Sequence, residues 1–273
     1  MMDLTIRHLT RYAYQPEAVQ AAMRVCLFPP VTEAQRADHW SVAVNGTQCS
    51  AMFQDSNGVG VGFWRAPEPV SAIEVVAEGS VRTADLNGVL RGLRETSRPG
   101  VFLRQTELTK ASERLRELAR DISGDGDLAR MHALSERVHD AVDYRKDVTG
   151  SDTAADDALA LGAGVCQDQV HVFVAVARLL EIPARYVVGY LADPESGAPA
   201  DETHAWAEGY VAGLGWVGFD ITNQICPTDL YVRLGCGLDA REAAPLRGTH
   251  TGDAVETMSV EIAIEQQSGQ SQQ

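Results

Sequence analysis

The 273-residue chain has no excess of positive charge, no closely spaced pair of cysteines and no apolar run long enough to cross a bilayer. Its 38 acidic residues against 23 basic ones leave a net charge of -15. Binding a nucleic-acid backbone needs clustered positive charge, so no nucleic-acid partner is expected. The five cysteines, Cys26, Cys49, Cys166, Cys226 and Cys236, include no C-x-x-C pair and are odd in number. That excludes a complete disulfide framework, argues against a zinc knuckle, and gives a reduced, cytoplasmic compartment as the expectation. The opening "MMDLTIRHLTRYAY" lacks the basic stretch and apolar run of a secretory signal. The most apolar segment, Val170 to Leu180, is short and interrupted by Arg178, so no membrane partner is expected. "GVGVG", Gly58 to Gly62, lacks the strand-to-helix setting of a phosphate loop, and "DISGDGD", Asp121 to Asp127, lacks the ligand pattern of a calcium loop.

What is present is a globular composition, 45% hydrophobic, whose periodicity changes along the chain. Over residues 1–105 short β-prone runs ("LTIRHL", "HWSVAV", "QCSAMFQD", "GVGVGFW", "SAIEVVAEGSVRT") alternate with turns such as Asn45-Gly46, which predicts an N-terminal β-sandwich-like domain. From residue 106 to 265 the pattern becomes mixed. "TKASERLRELARDI" has helical spacing with Thr109 or Ser112 as a cap, and "LARMHALSERVHDAVDY" places Leu128, Met131, Leu134, Val138 and Val142 near one stripe. His132 and His139 share a face of that helix but have no partners to complete a metal set, so they read as ordinary helical histidines. "SDTAADDALALG" predicts a short helix, and the stretch from Cys166 to about Glu181 is apolar on nearly every side, as a central, enclosed helix is. Strands follow at "ARYVVGYL", "HAWAEGYV" and "GWVGFDIT", with "ADPESGAPADET" as a polar loop of the kind that rims a site. "ETMSVEIAIE" is a closing strand of the core, and residues 266–273 read as a disordered tail.

Three positions carry chemistry. Cys166 stands where the enclosed helix begins, and unpaired N–H groups there favour a thiolate and can receive an oxyanion. A buried, inert cysteine is the competing reading. Alternation puts His204, Trp206, Glu208 and Tyr210 on one face of their strand, facing away from Ala205, Ala207 and Gly209, as a functional or partner-bearing face would. If "VAGLG" turns a hairpin with Tyr210 opposite Trp216, then Asp220 opposes Trp206 and lies diagonal to His204. An imidazole so held could accept the Cys166 proton while the carboxylate fixes its orientation. Spacing alone leaves open whether the cysteine helix meets the hairpin.

"GAGVCQDQVHVFVAVARLLEIPARYVVGY", "HAWAEGYV" and "GWVGFDITN" together resemble the bacterial transglutaminase-like family of the papain-related Cys-His-Asp superfamily. The resemblance implies an α+β fold, a papain-like transglutaminase core with a central helix packed on an antiparallel sheet, after the family's N-terminal β domain. It matches Cys166 to the nucleophile, His204 to the histidine and Asp220 to the acid, with Ile221 where a proline is usual and Gln169 where an aromatic is frequent, which predicts a more polar pocket wall. Tyr144, Gln167, Asp168 and Trp206 are candidates for substrate or oxyanion contacts, Asp168 also for ordering the neighbouring loop. The implied activity is acyl transfer from a peptide or amide-bearing substrate through a thioester, with hydrolysis by a cysteine peptidase or amidase expected. Protein-glutamine gamma-glutamyl transfer and non-catalytic peptide binding are the alternatives. No metal or organic cofactor is required by that chemistry.

Overall fold

The computed structural model describes residues 1–192 and 202–266. Most of the polar loop expected at 192–203, and the expected tail apart from Gln266, lie outside the described residues. The first part of the chain forms β1 (Met2–Ala18), β2 (Gln20–Val25), β3 (Gln35–Val44), the two-residue strands β4 (Thr47–Gln48) and β5 (Phe53–Gln54), β6 (Gly60–Arg65) and β7 (Val70–Thr83). The single strand expected over "QCSAMFQD" is thus broken into β4 and β5, and β2 was not foreseen. There follow α1 (Glu113–Arg120), α2 (Asp127–Ala141), β8 (Asp143–Tyr144), α3 (Ala155–Leu161), β9 (Ala163–Gly164) and α4 (Cys166–Leu179). The chain continues through β10 (Ala184–Leu191), β11 (His204–Val211), β12 (Gly215–Phe219), β13 (Tyr231–Gly237), α5 (Ala240–Ala243), β14 (Leu246–Thr251) and β15 (Val255–Gln266).

Among the described residues the N-terminal strands make two sheets, ordered β15-β1-β7-β3-β4 and β14-β2-β6-β5. The closing strand expected with the core therefore pairs with β1 instead, and β14 pairs with β2. The physical reason is matched alternation: His8 faces Ile262 and Ile6 faces Ile264, so both strands bury the same face. Side chains of the two sheets, such as Val42 and Ile73 from one and Met23 and Val25 from the other, share one hydrophobic cluster.

The core sheet runs β12-β11-β10-β13, all antiparallel. Helix α4 packs on β10 and β11 and is flanked by α1, α2 and α3, which explains a helix apolar on every side. The interrupting Arg178 is accommodated by donating to the carbonyls of Phe102, Ala184 and Leu238 and to the Thr109 hydroxyl. Ser112 caps α1 by accepting from the Leu115 N–H. On α2 the stripe holds at Met131, Leu134 and Val138, with Val142 just beyond, but Leu128, in the first turn, is exposed.

Candidate active site

The motif "GAGVCQD" folds as it does for local reasons. Gly162 ends α3 in the left-handed region at φ 67°. At Gly164 a Cβ would stand 2.5–2.8 Å from side-chain atoms of Asp168, so the glycine makes room for that carboxylate. Asp168 Oδ2 accepts from the Val165 N–H at 2.8 Å and from the Thr149 hydroxyl at 2.6 Å. The buried carboxyl thereby caps α4 and fastens the 145–153 loop, the ordering role foreseen for it, and it does not face the cleft.

Cys166 is the first residue of α4 and is 9% exposed. The β11–β12 hairpin has the expected register, Tyr210 opposite Trp216 and Ala207 opposite Phe219. Asp220 follows directly, bridged to Ile225, and its Oδ2 lies 2.6 Å from His204 Nε2. The Cys166 sulfur lies near enough to the His204 ring to help raise its pKa. Asp220 is fully buried and further held by the Tyr231 hydroxyl at 2.6 Å and by the side-chain and backbone N–H groups of Asn223 at 2.7 and 3.1 Å. Tyr231 and Asn223 were missed by the sequence reading. Asn223 was visible three residues after the acid, whereas Tyr231 arrives from β13, which no local pattern ties to Asp220.

Burial alone would lower the His204 pKa, but hydrogen bonds and charge from Asp220 and Cys166 outweigh it and raise the value to about 10. Burial likewise pushes the Asp220 carboxyl up, and His204, Tyr231 and Asn223 overcome it and hold the group below its ordinary value. The His204 pKa in the folded state exceeds the ordinary 6.5, so its stabilisation is complete below about 6.5 and is lost as pH rises through about 10. H204Q cannot protonate. Denaturant midpoints measured at stepped pH are expected to fall more steeply across that window for the natural chain than for H204Q, and parallel slopes would contradict the assignment.

A cleft of about 520 Å³ opens at Cys166, lined also by Gln167, whose amide donates to the Ser151 carbonyl at 3.3 Å. Tyr144 pairs with Gly164 in the short β8–β9 ladder, is 48% exposed, and has its phenol pKa raised by burial and by the Cys166 sulfur nearby. Trp206 is elsewhere: it is buried against Val187, Tyr231 and Cys236, and it stacks beside the His204 ring at 6.3 Å between centroids. The expected polar pocket wall at Gln169 is corrected, because this side chain is buried. Its Nε2 donates to the Val142 carbonyl and its Oε1 accepts from Thr222, tying α4 to the turn that carries Asp220. Of the face read as functional or partner-bearing, Glu208 meets no outside partner. Glu208 on that face is buried between Arg185 at 2.6 Å and Arg233 at 2.9 Å, so its partners are the chain's own arginines.

Among the described residues no group of three or more His, Cys, Asp or Glu is placed to hold a metal ion, and no helix is long and apolar enough to cross a membrane.

The comparisons with known proteins agree with this architecture. An uncharacterized protein of Mycobacterium leprae is 26% identical over 97% of this chain and 99% of its own length. The solved structure of a protein from Cytophaga hutchinsonii, described as a "Putative Cysteine Protease", superposes with a TM-score of 0.75 at 23% identity, covering 96% of this chain and 90% of that one. The cytoplasmic location expected from the cysteines is withdrawn; the periplasmic domain of TgpA from Pseudomonas aeruginosa is also among the similar structures, with 17% identity, a TM-score of 0.40, and coverage of 83% of this chain and 92% of that one. All five cysteines here are free, and a thiol without a partner cysteine does not mark a reduced compartment. Residues 116–221 match the transglutaminase-like superfamily and residues 4–82 the bacterial transglutaminase-like N-terminal region. With that α+β fold and both matches in chain order, the protein belongs to the transglutaminase-like superfamily and carries a bacterial transglutaminase-like N-terminal domain.

Proposed function

We propose that the chain catalyses cysteine-dependent acyl transfer on amide substrates, with Cys166 as nucleophile, His204 as acid and base, and Asp220 as the group that orients His204. The observation that carries this reading is a partly buried imidazole hydrogen-bonded to a buried carboxylate at 2.6 Å and lying near the cysteine that begins a helix. Because Nε2 is engaged by Asp220, Nδ1 is left to exchange a proton with the thiol. The thiolate attacks the amide carbonyl carbon, and the oxyanion that forms is received by the Cys166 N–H, which lies in the first turn where no intrahelical carbonyl is available. Tyr144, close to the sulfur and partly exposed, is the candidate second donor. As the C–N bond breaks, protonated His204 gives its proton to the departing amine and a thioester remains on Cys166. His204 then takes a proton from water, which attacks the thioester, releasing the carboxylic acid and returning the thiol. In this reading the chemistry belongs to the segment beginning near residue 106, and the β domain over 1–105 supplies the facing wall together with β15, which pairs with it.

Hydrolysis and amine transfer differ only in what attacks the thioester. Incubation with a peptide library, with and without a primary amine, separates them by product mass. Hydrolysed products are expected to dominate in both, and predominant amine incorporation would replace hydrolysis by transglutamination.

Tyr231 enters as a positioning residue. Y231F removes one hydrogen bond to a charged acceptor, a loss of about 1.5–3 kcal/mol, so kcat is expected to fall roughly tenfold or more with KM unchanged. Without that donor the Asp220 pKa rises, and the acid limb of the pH–rate profile moves to higher pH. An unmoved limb together with a changed KM would place Tyr231 in packing alone.

A further inference from the structure

The cleft at Cys166 has a second wall that the core does not provide. Opposite the α4 terminus it is lined by Thr10 and Tyr12 of β1 and by Met258 and Val260 of β15. The register pairs Tyr12 directly with Met258 and Thr10 with Val260, so these four side chains form a block on one face of the sheet. Their neighbours Arg7 and Arg11 point to the other face, where they meet Glu78 and Glu74 with side chains about half exposed. The block is fixed to the core sheet by His8, whose ring nitrogens bond the Tyr190 hydroxyl at 2.9 Å and the Thr10 hydroxyl at 2.8 Å. It is therefore a rigid floor at Thr10 and Tyr12, which are buried, next to a flexible thioether at Met258, which is 60% exposed.

We infer that this block, Tyr12 and Met258 above all, selects the acyl group delivered to Cys166, and that it favours an apolar side chain beside the scissile amide. This deepens the proposed function and rests on Cys166 being the nucleophile. The chemistry of the wall supports the choice: an aromatic ring, a thioether and a branched aliphatic group offer contact area, while Thr10 spends its hydroxyl on His8. Across the cleft the exposed charges are of mixed sign, Lys146 against Asp147 and Glu202, and so do not favour an ionic acyl group. Because the wall takes side chains from both β1 and β15, it exists only when those two strands are paired.

The test uses peptide chloromethyl ketones that differ in one side chain, Leu, Phe, Asp or Lys, with labelling of the full chain read by intact mass. Sulfur displaces chloride in each, so the reagents share one chemistry. Iodoacetamide, too small to need the wall, reports the thiol by itself. The Leu and Phe reagents are expected to label Cys166 about tenfold faster than the Asp and Lys reagents. M258K, at an exposed position, is expected to narrow the Leu-to-Asp ratio by about tenfold, and Y12A to slow the Leu and Phe reagents, with iodoacetamide rates unchanged. Equal labelling by all four reagents, or ratios that neither substitution moves while iodoacetamide still reacts, would overturn the inference about the wall. A natural Cys166 inert to iodoacetamide as well would overturn the nucleophile and this inference with it.

Discussion

C166S is expected to lose amide turnover by a factor on the order of 10⁴ to 10⁶ while remaining folded. The size follows from the mechanism: the sulfur is the atom that forms and breaks the acyl bond, and residues acting with it cannot substitute for it. The fold survives because the exchange is nearly isosteric at the first residue of α4. Stability measured by denaturant unfolding is expected to change by about 1 kcal/mol or less. A C166S chain that kept more than about one per cent of the natural rate would require a nucleophile other than Cys166.

The second large effect concerns stability. Glu208 is buried beneath the core sheet, with Oε2 on Arg185 and Oε1 on Arg233. Arg185 is fully buried, reaches Glu95 at 2.6 Å, and lies 3.9 Å from the centre of the Trp216 ring. E208Q leaves two buried guanidinium groups facing a neutral amide. Breaking a buried ion pair in this way costs about 3–5 kcal/mol, against a total stability for such a chain of about 5–15 kcal/mol. The exposed pair of Arg7 and Glu78, 3.7 Å apart, is the control: E78Q is expected to cost about 0.5 kcal/mol or less. Burial would push the Glu208 carboxyl up, but Arg233 and Arg185 prevail and hold it at about 2, below the ordinary 4.5. The carboxylate's contribution is thus present above about pH 4.5 and lost as pH falls toward about 2, a loss absent from E208Q. Equal denaturant midpoints for E208Q and E78Q would show the cluster to be energetically idle.

Much of the candidate site was legible because its signals are local. The glycines around Cys166, the alternation in "HAWAEGYV" and the short turn of the hairpin each dictate geometry within a few residues, and together they gave the Tyr210–Trp216 register that places Asp220 beside His204. What was not legible depends on which surface covers which. Alternation identified Glu208 as facing away from the small residues but not that Arg185 and Arg233 would meet it, since those come from neighbouring strands. Gln169 looked like a pocket residue from its nearness to Cys166, yet it lies three residues further along a helix that turns about 100° per residue, and its side chain meets Thr222. The largest omission was β15. Its own pattern predicts a strand, but no strand names its partner, and pairing with β1 is what brings Met258 and Val260 to the cleft.

The most direct measurement is rapid acid quenching of the natural chain during turnover of a peptide amide, followed by intact-mass and peptide mapping. An acyl group joined to Cys166, with the amine already lost, is predicted, and it should be absent from C166S and form far more slowly in H204A. Amide turnover that proceeds with no acyl group on Cys166, or at the same rate in C166S, would contradict the mechanism.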